Sequence, residues 1–269
     1  MLLSRIVPYL TPALPSFFFR TASTMSSSIF TPERPASYVA ALGAPALHLF
    51  TANTPNGQKT NIMLEELRLA YPDKKEIGYD FVRVNLSTNE QKTPEFLKIN
   101  PNGRIPALID NNVNPPTGHR VFESASILLW LVENYDTEFK LSFKDPLLRS
   151  DALSWIFFTH GGVGPMFGQA GHFLHLPEKI PYAIKRYTDE MRRLLSVFED
   201  HLGTERTYLV DNRFSVADIN AITWVKGASR AGIDLAKEFP AVNGWIERSF
   251  ARDGVQKGVN LLAGPAHAL

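Results

Sequence analysis

At 269 residues, with 44% apolar and 11% aromatic side chains, the chain is long enough for one large or two modest domains with a sizeable core. A formal net charge of +1 offers no global attraction to nucleic acid or an anionic membrane, and no apolar run reaches the ~18 residues that span a bilayer. Cysteine is absent, which excludes disulfides, thiolate metal sites and a cysteine nucleophile of the protein's own, so redox chemistry here must use a ligand's sulfur.

Residues 1–44 form a segment apart. They carry Arg5 and Arg20, many Ser and Thr, and no acid before Glu33, a composition that suits a mitochondrial transit peptide. Pro8, Pro12 and Pro15 interrupt the amphipathic helix such peptides need, so a disordered extension is an equal alternative, and Met25 offers a later start. Location is thus cytoplasmic, or mitochondrial if this segment is a leader. It holds no Asn or Gln, so it is not a prion-like tract.

Leu47 and Leu49 alternate with His48 and Phe50 as in a strand. Thr54-Pro55-Asn56-Gly57 is a turn, and Met63, Leu67 and Ala70 then mark one apolar face of a helix. A second strand is predicted over Asp80–Asn85, and a short helix from Thr93-Pro94. Asn100 to Asp110 reads as a turn feeding a strand, residues 111–119 as a polar loop, and Arg120–Phe122 as a further strand. Ser124 opens a helix with Ile127, Leu128, Leu131 and Tyr135 on one face. A right-handed crossover makes the first two strands parallel, and a short connection makes the last two antiparallel. After a polar linker the pattern is helical only: 147–159, 184–202, a capping-box start at Ser215-Val-Ala-Asp218, and 239–252. The predicted organisation is an extension over 1–44, an α/β domain with a mixed four-stranded sheet over 45–136, and an all-α domain over 145–262.

Chemistry concentrates in the α/β part. The turn puts Thr54 and Asn56 at a helix N-terminus, where free N–H groups and the macrodipole favour an anion such as a thiolate. The alternative is that either residue simply caps the helix. Pro106 heads a strand and is a candidate for a cis peptide, which would turn the Ile105 backbone outwards to hold an extended peptide. Glu123-Ser124 offers a carboxylate for an amine and a hydroxyl with N–H groups for a carboxylate, a pair that fits an α-amino acid head group. Here the alternative is Ser124 as N-cap and Glu123 as a first-turn acid. Gly161-Gly-Val-Gly164 lacks the dinucleotide fingerprint and reads as a helix break. His172 and His175 lack a third metal ligand, so no metal site is expected. The aromatic residues from Trp155 to Phe173 are read as core, one or two of them with pocket contact, and the charged pairs in 185–200 as a solvated helix face.

Thr54-Pro-Asn-Gly57, Pro106, Phe122-Glu-Ser124, Trp155-Ile-Phe-Phe158, Gly162 to Phe173 and Arg186-Tyr-Thr-Asp-Glu190 together resemble a glutathione transferase over roughly residues 46–262. The branch they resemble holds the bacterial nu-class enzymes and fungal nitrogen-regulatory prion-like relatives. The resemblance implies a thioredoxin-like N-terminal domain, a helical C-terminal domain and a homodimer. It implies glutathione as co-substrate, with a small disulfide or electrophile as the second substrate. Asn56 and Thr54 would serve the glutathione sulfur, Gln91 and Arg104 its glycine end, Ile105 before Pro106 its cysteinyl backbone, and Glu123 and Ser124 its γ-glutamyl head. No Tyr, Ser or Cys stands at the activating position of the turn, so neither a Tyr-type activator nor a mixed disulfide with the protein is expected. The resemblance to this branch puts thiol–disulfide reduction, which needs no protein cysteine, ahead of conjugation. A non-catalytic glutathione-binding module of the same fold is the rival reading.

Overall fold

The computed structural model describes residues 46–263, apart from 114, 116 and 117; the extension read over 1–44 lies outside the described residues. Four strands, β1 (Leu47–Thr51), β2 (Tyr79–Arg83), β3 (Ala107–Asp110) and β4 (His119–Phe122), form one sheet in the order β2-β1-β3-β4. β1 pairs parallel with β2 and antiparallel with β3, and β3 pairs antiparallel with β4, so the sheet is mixed as the connections predict. Helices α1 (Pro55–Ala70) and α3 (Ser124–Tyr135) pack together, while Phe96 of the short α2 (Pro94–Leu97) meets Phe50 edge-on at 6.0 Å. This is the thioredoxin-like arrangement.

Asp136 ends α3 and organises the connection to the helices beyond. Its carboxylate accepts from Tyr71 Oη at 2.5 Å, from the amides of Lys140 and Leu141, and from Ser142 Oγ. The linker is therefore fastened to the α/β half. Beyond it come α4 (Pro146–Phe158), α5 (Gly164–His175), α6 (Pro181–Leu202), α7 (Val216–Lys226), α8 (Leu235–Glu238), α9 (Pro240–Phe250) and α10 (Asp253–Asn260). Trp155, Phe198 and Trp245 stack in a column at 5.3 and 5.5 Å between centroids. Asp218 forms the capping box that the spacing predicts and also accepts from Leu209 N and Trp245 Nε1, tying the start of α7 to that column.

Three expectations change. Gly161 to Gly164 do not break the helix: Thr159–Val163 forms a π turn that leads from α4 directly into α5. Glu199 is not on a solvated face, because its carboxylate accepts the Ala241 and Val242 amides and caps α9. Phe157 is 66% exposed, not core.

Helix α1 departs furthest from its sequence pattern. Its polar side is buried as well as its apolar side, with Lys59, Thr60, Asn61, Glu65 and Glu66 all inside. Asn61 Oδ1 accepts from Thr51, Glu65 from Tyr79 Oη at 2.6 Å, and Glu66 takes a two-pronged pair from Arg252 at 2.9 and 2.7 Å. Next to Arg252, α10 lies against α1 through Gly254 and Gly258. A Cβ on Gly258 would stand 2.5 Å from Ile62 Cα, closer than any side chain allows.

Gly258→Ala should therefore force α10 off α1 at a cost of about 1–3 kcal/mol, lowering Tm by about 2–4 °C per kcal/mol. An unchanged melting curve would show that the close approach does not exist in solution. Lys59 supplies a second test. Burial lowers its ammonium from the ordinary 10.5 to about 7, against an opposing pull from the Glu123 carboxylate. Above pH 7 the folded chain has released a proton that the unfolded chain keeps until about pH 10.5, so the penalty that this buried group places on folding shrinks as pH rises through that window. Lys59→Met should raise stability at pH 7 and flatten the rise up to about pH 9.5 in denaturant titrations. Equal pH slopes in the two proteins would mean that Lys59 is solvated.

Candidate functional site: a cleft between two helix N-termini

The end of β1 runs into α1 through a turn that only glycine can complete. A Cβ on Gly57 would sit 2.1 Å from the Ala52 carbonyl oxygen. Thr54 is the N-cap: its Oγ1 accepts from the Gly57 amide at 3.1 Å, which leaves its own hydroxyl hydrogen free to donate. Asn56 is not a cap. Its Oδ1 accepts from Trp224 Nε1 at 2.8 Å, and Thr223 Oγ1 donates to the Pro55 carbonyl at 2.9 Å. Helix α7 thus grips the turn from the helical half.

The second wall is the approach to β3. Asn100, almost wholly buried, donates from Nδ2 to the Arg104 carbonyl at 2.7 Å and accepts the Asn102 amide at 2.9 Å. The Ile105–Pro106 peptide is cis, and sheet pairing begins at Ala107, two residues beyond Ile105.

The third wall is the start of α3. Glu123, not Ser124, is the flanking residue, and it holds φ 68° and ψ 121°. For a residue with a Cβ that conformation costs on the order of 1–3 kcal/mol, a strain characteristic of sites where a side chain must be aimed. Glu123 makes no capping bond to α3. Asn102 Nδ2 instead donates to its Oε1 at 3.2 Å, and His160 Nε2 lies 3.3 Å from its Oε2. Ser124 is the first helical residue, buried, and its Oγ has no partner among the described residues.

Thr54, Asn56, Gln91, Arg104, Ile105, Pro106, Glu123 and Ser124 all line one cleft of ≈ 450 Å³, a volume ordinary for small-ligand sites. The structure brings every predicted site residue into it. Asn100, Asn102, Leu86 and Trp224 also line it, and sequence reasoning did not single these out as ligand contacts. Trp224 had no local signal, since its partner is 168 residues away.

The cleft's chemistry suits an anionic, peptide-like ligand. The N-termini of α1 and α3 both open into it, each carrying partial positive charge. Gln91 Oε1 and Ser124 Oγ are buried polar atoms without a partner among the described residues, and such atoms ordinarily have one. Their free lone pairs and hydroxyl hydrogen, facing a carboxylate-bearing wall and a donor-bearing turn, fit a zwitterionic tripeptide such as glutathione. Among the described residues no three His, Asp or Glu side chains group to hold a metal. His175 Nδ1 lies 2.7 Å from the Gly171 carbonyl of its own helix, and Phe173 stacks on Tyr187 at 5.4 Å.

Comparison with known proteins agrees with this geometry. The N-terminal domain model of the glutathione S-transferases matches residues 45–133, and their C-terminal domain model matches residues 165–253. The disulfide-bond oxidoreductase YfcG of Escherichia coli is 39% identical over 77% of this chain and 91% of its own length. The yeast prion protein Ure2p, solved in complex with glutathione, superposes with a TM-score of 0.73 at 33% identity, over 81% of this chain and 95% of that one. A glutathione transferase homologue of Lodderomyces elongisporus, solved with two glutathione molecules per subunit, gives 0.75 at 35% identity, over 82% of this chain and all of its own, 100%. Fold, motif residues and relatives agree: the chain belongs to the glutathione S-transferase family, in the branch of YfcG and Ure2p.

Proposed function

We infer that this protein is a glutathione-dependent enzyme that activates the glutathione thiol, reducing small disulfides and conjugating the same sulfur to electrophilic carbon. The observation that carries this reading is the oriented turn at α1. An indole N–H is only a donor, so Asn56 must face Trp224 with its oxygen, which leaves its NH₂ free to donate on a residue that lines the cleft together with Thr54. Two donors and a helix N-terminus at one point favour a thiolate over a thiol. With no cysteine in the chain, the protein forms no mixed disulfide of its own, and the sulfur that reacts is the ligand's.

In this assignment the Glu123 carboxylate receives the γ-glutamyl ammonium, and Ser124 receives the α-carboxylate at the N-terminus of α3. The Ile105 backbone, ahead of Pro106, pairs with the cysteinyl unit, and Gln91 and Arg104 meet the glycine end, where the free Gln91 Oε1 suits the glycyl N–H and the Arg104 guanidinium the carboxylate. Glutathione supplies the nucleophile: its sulfur displaces one sulfur of a small disulfide as thiolate, and a second glutathione resolves the mixed product to glutathione disulfide and a second thiolate. The residues of the chain hold the first glutathione and set its ionisation. A free thiol has a pKa of about 8.5, and lowering it two units takes about 2.7 kcal/mol of preference for the thiolate. A charge-assisted hydrogen bond with a helix terminus is of that size.

Steady-state reduction of a model disulfide by glutathione, run beside a conjugation assay, should show turnover in the first at least. Absence of both would leave a binding module. In the same assays Asn56→Ala should raise the pKa of bound glutathione by about one to two units, with little change in glutathione affinity. The lost rate should return in part at high pH. A purely structural role, in which Asn56 only ties α7 to the turn through Trp224, predicts instead a stability loss of about 1 kcal/mol and an unmoved pH–rate profile.

We also infer a homodimer. Helix α4 buries only Ala152 and Ile156 and holds Leu147 and Phe157 out to solvent, an apolar surface that a second copy would cover. Sedimentation at micromolar concentration should give the dimer mass; monomer alone would remove this assignment.

A further inference from the structure

Trp224 stands 168 residues from Asn56 in sequence, on a helix of the other half of the molecule. Its indole lies against the glycine face of α5: a Cβ built on Gly164 would come 3.3 Å from Nε1, and one on Gly168 would come 3.7 Å from Cη2. The ring is therefore close to α5 where any side chain at Gly164 would press on it. On its other side the same Nε1 donates to Asn56 Oδ1 at 2.8 Å. The neighbouring Thr223 holds the Pro55 carbonyl, so the turn backbone and the Asn56 side chain are both referenced to α7.

An Asn side chain has two nearly isosteric ends, one an acceptor and one a donor pair. With nothing to choose between them, a rotation of the amide would put the carbonyl oxygen towards a sulfur, where it repels a thiolate. We propose that Trp224 is a positioning residue for thiol activation: its N–H, seated on Gly164 and Gly168, locks the Asn56 amide with NH₂ towards the cleft. Accepting the indole bond also polarises the amide and makes its N–H groups better donors. The helical half would thus set the ionisation of a ligand that the α/β half binds. This rests on the assignment of Asn56 to the glutathione sulfur.

Two replacements separate the donor from the bulk. Trp224→Phe keeps an aromatic ring and removes the N–H. Trp224→His loses the six-membered ring but can place Nε2–H where the indole N–H stood. Bound thiolate is titrated by ultraviolet absorbance, with the pH–rate profile of disulfide reduction, thermal melting and affinity for S-hexylglutathione, which has no thiol to ionise. For Trp224→Phe we expect the bound-thiol pKa to rise by about one unit, a rate near neutrality about tenfold lower that recovers in alkali, and S-hexylglutathione affinity within about twofold of wild type. Trp224→His should melt lower than Trp224→Phe yet titrate closer to wild type above pH 7. In an Asn56→Ala background, Trp224→Phe should add no further shift.

The proposal is overturned if Trp224→Phe titrates as wild type, if its shift persists without Asn56, or if the two variants rank in titration as they rank in melting. If Asn56→Ala shifts the titration and Trp224→Phe does not, the positioning role alone falls. If Asn56→Ala shifts nothing, the sulfur assignment and the positioning role fall together.

Discussion

Helix α1 has almost no solvent face, and the rest of the molecule depends on that. Burying a charge without its partner costs about 3–5 kcal/mol. Glu65 and Glu66 therefore confine α1 to the placement in which Tyr79 and Arg252 both reach them. Hydrogen bonds tolerate only a few tenths of an ångström. The sheet, α3, α7 and α10 thus act together as a jig for one helix, and the first turn of that helix is the origin from which the cleft is laid out.

Convergence of helix ends then sets the electrostatic character of the cleft. The turn at Thr54 and the start of α3 bring two positive helix ends into one cleft, and no titrating side chain stands in the turn over residues 54–57. An ionisable activator would add its own pKa to the rate profile. Amide, hydroxyl and backbone donors do not, so on the proposed assignment the ligand thiol is the group in that turn that changes charge across the working range. The strained Glu123 belongs to the same economy. Its backbone is held off the helical track, and its carboxylate is oriented by Asn102 on the cleft wall, where the proposed assignment brings the ligand's ammonium.

Features with a local cause were legible in the sequence. The turn at 54–57, the capping box at Ser215 and the strand directions each follow from a few adjacent residues. The eight residues that line one cleft could be singled out because each sits at such a local landmark or in a recognisable family motif. What was not legible depends on residues far apart. The polar side of α1 reads as a solvent face until Arg252 and Tyr79 are folded onto it. Trp224 looks like one more aromatic on a buried helix. The glycines at 161–164 signal a break, yet packing against Leu194 and Trp224 carries the chain through as a π turn. Helix α10, short and with two glycines, has little intrinsic preference to form and exists because α1 gives it a berth. Exchange of roles between Glu123 and Ser124 is the remaining difference, and it arises from a backbone angle that sequence does not display.

The berth of α10 on α1 has a consequence for how the protein is made. The two helices occupy residues 55–70 and 253–260, near opposite ends of the described chain. At a synthesis rate of about 5–20 residues per second, α1 leaves the ribosome roughly ten to forty seconds before the segment that covers it. During that interval Ile62 and Glu66 have no lid, and the sheet and α3 can gather around a helix that is still open on one side. The half that carries most of the ligand-facing residues is thus born first and finished last. Such a nascent chain depends on being shielded until its last helix arrives, and one released short of Asp253 would leave a charged, half-covered helix for the quality-control machinery to recognise.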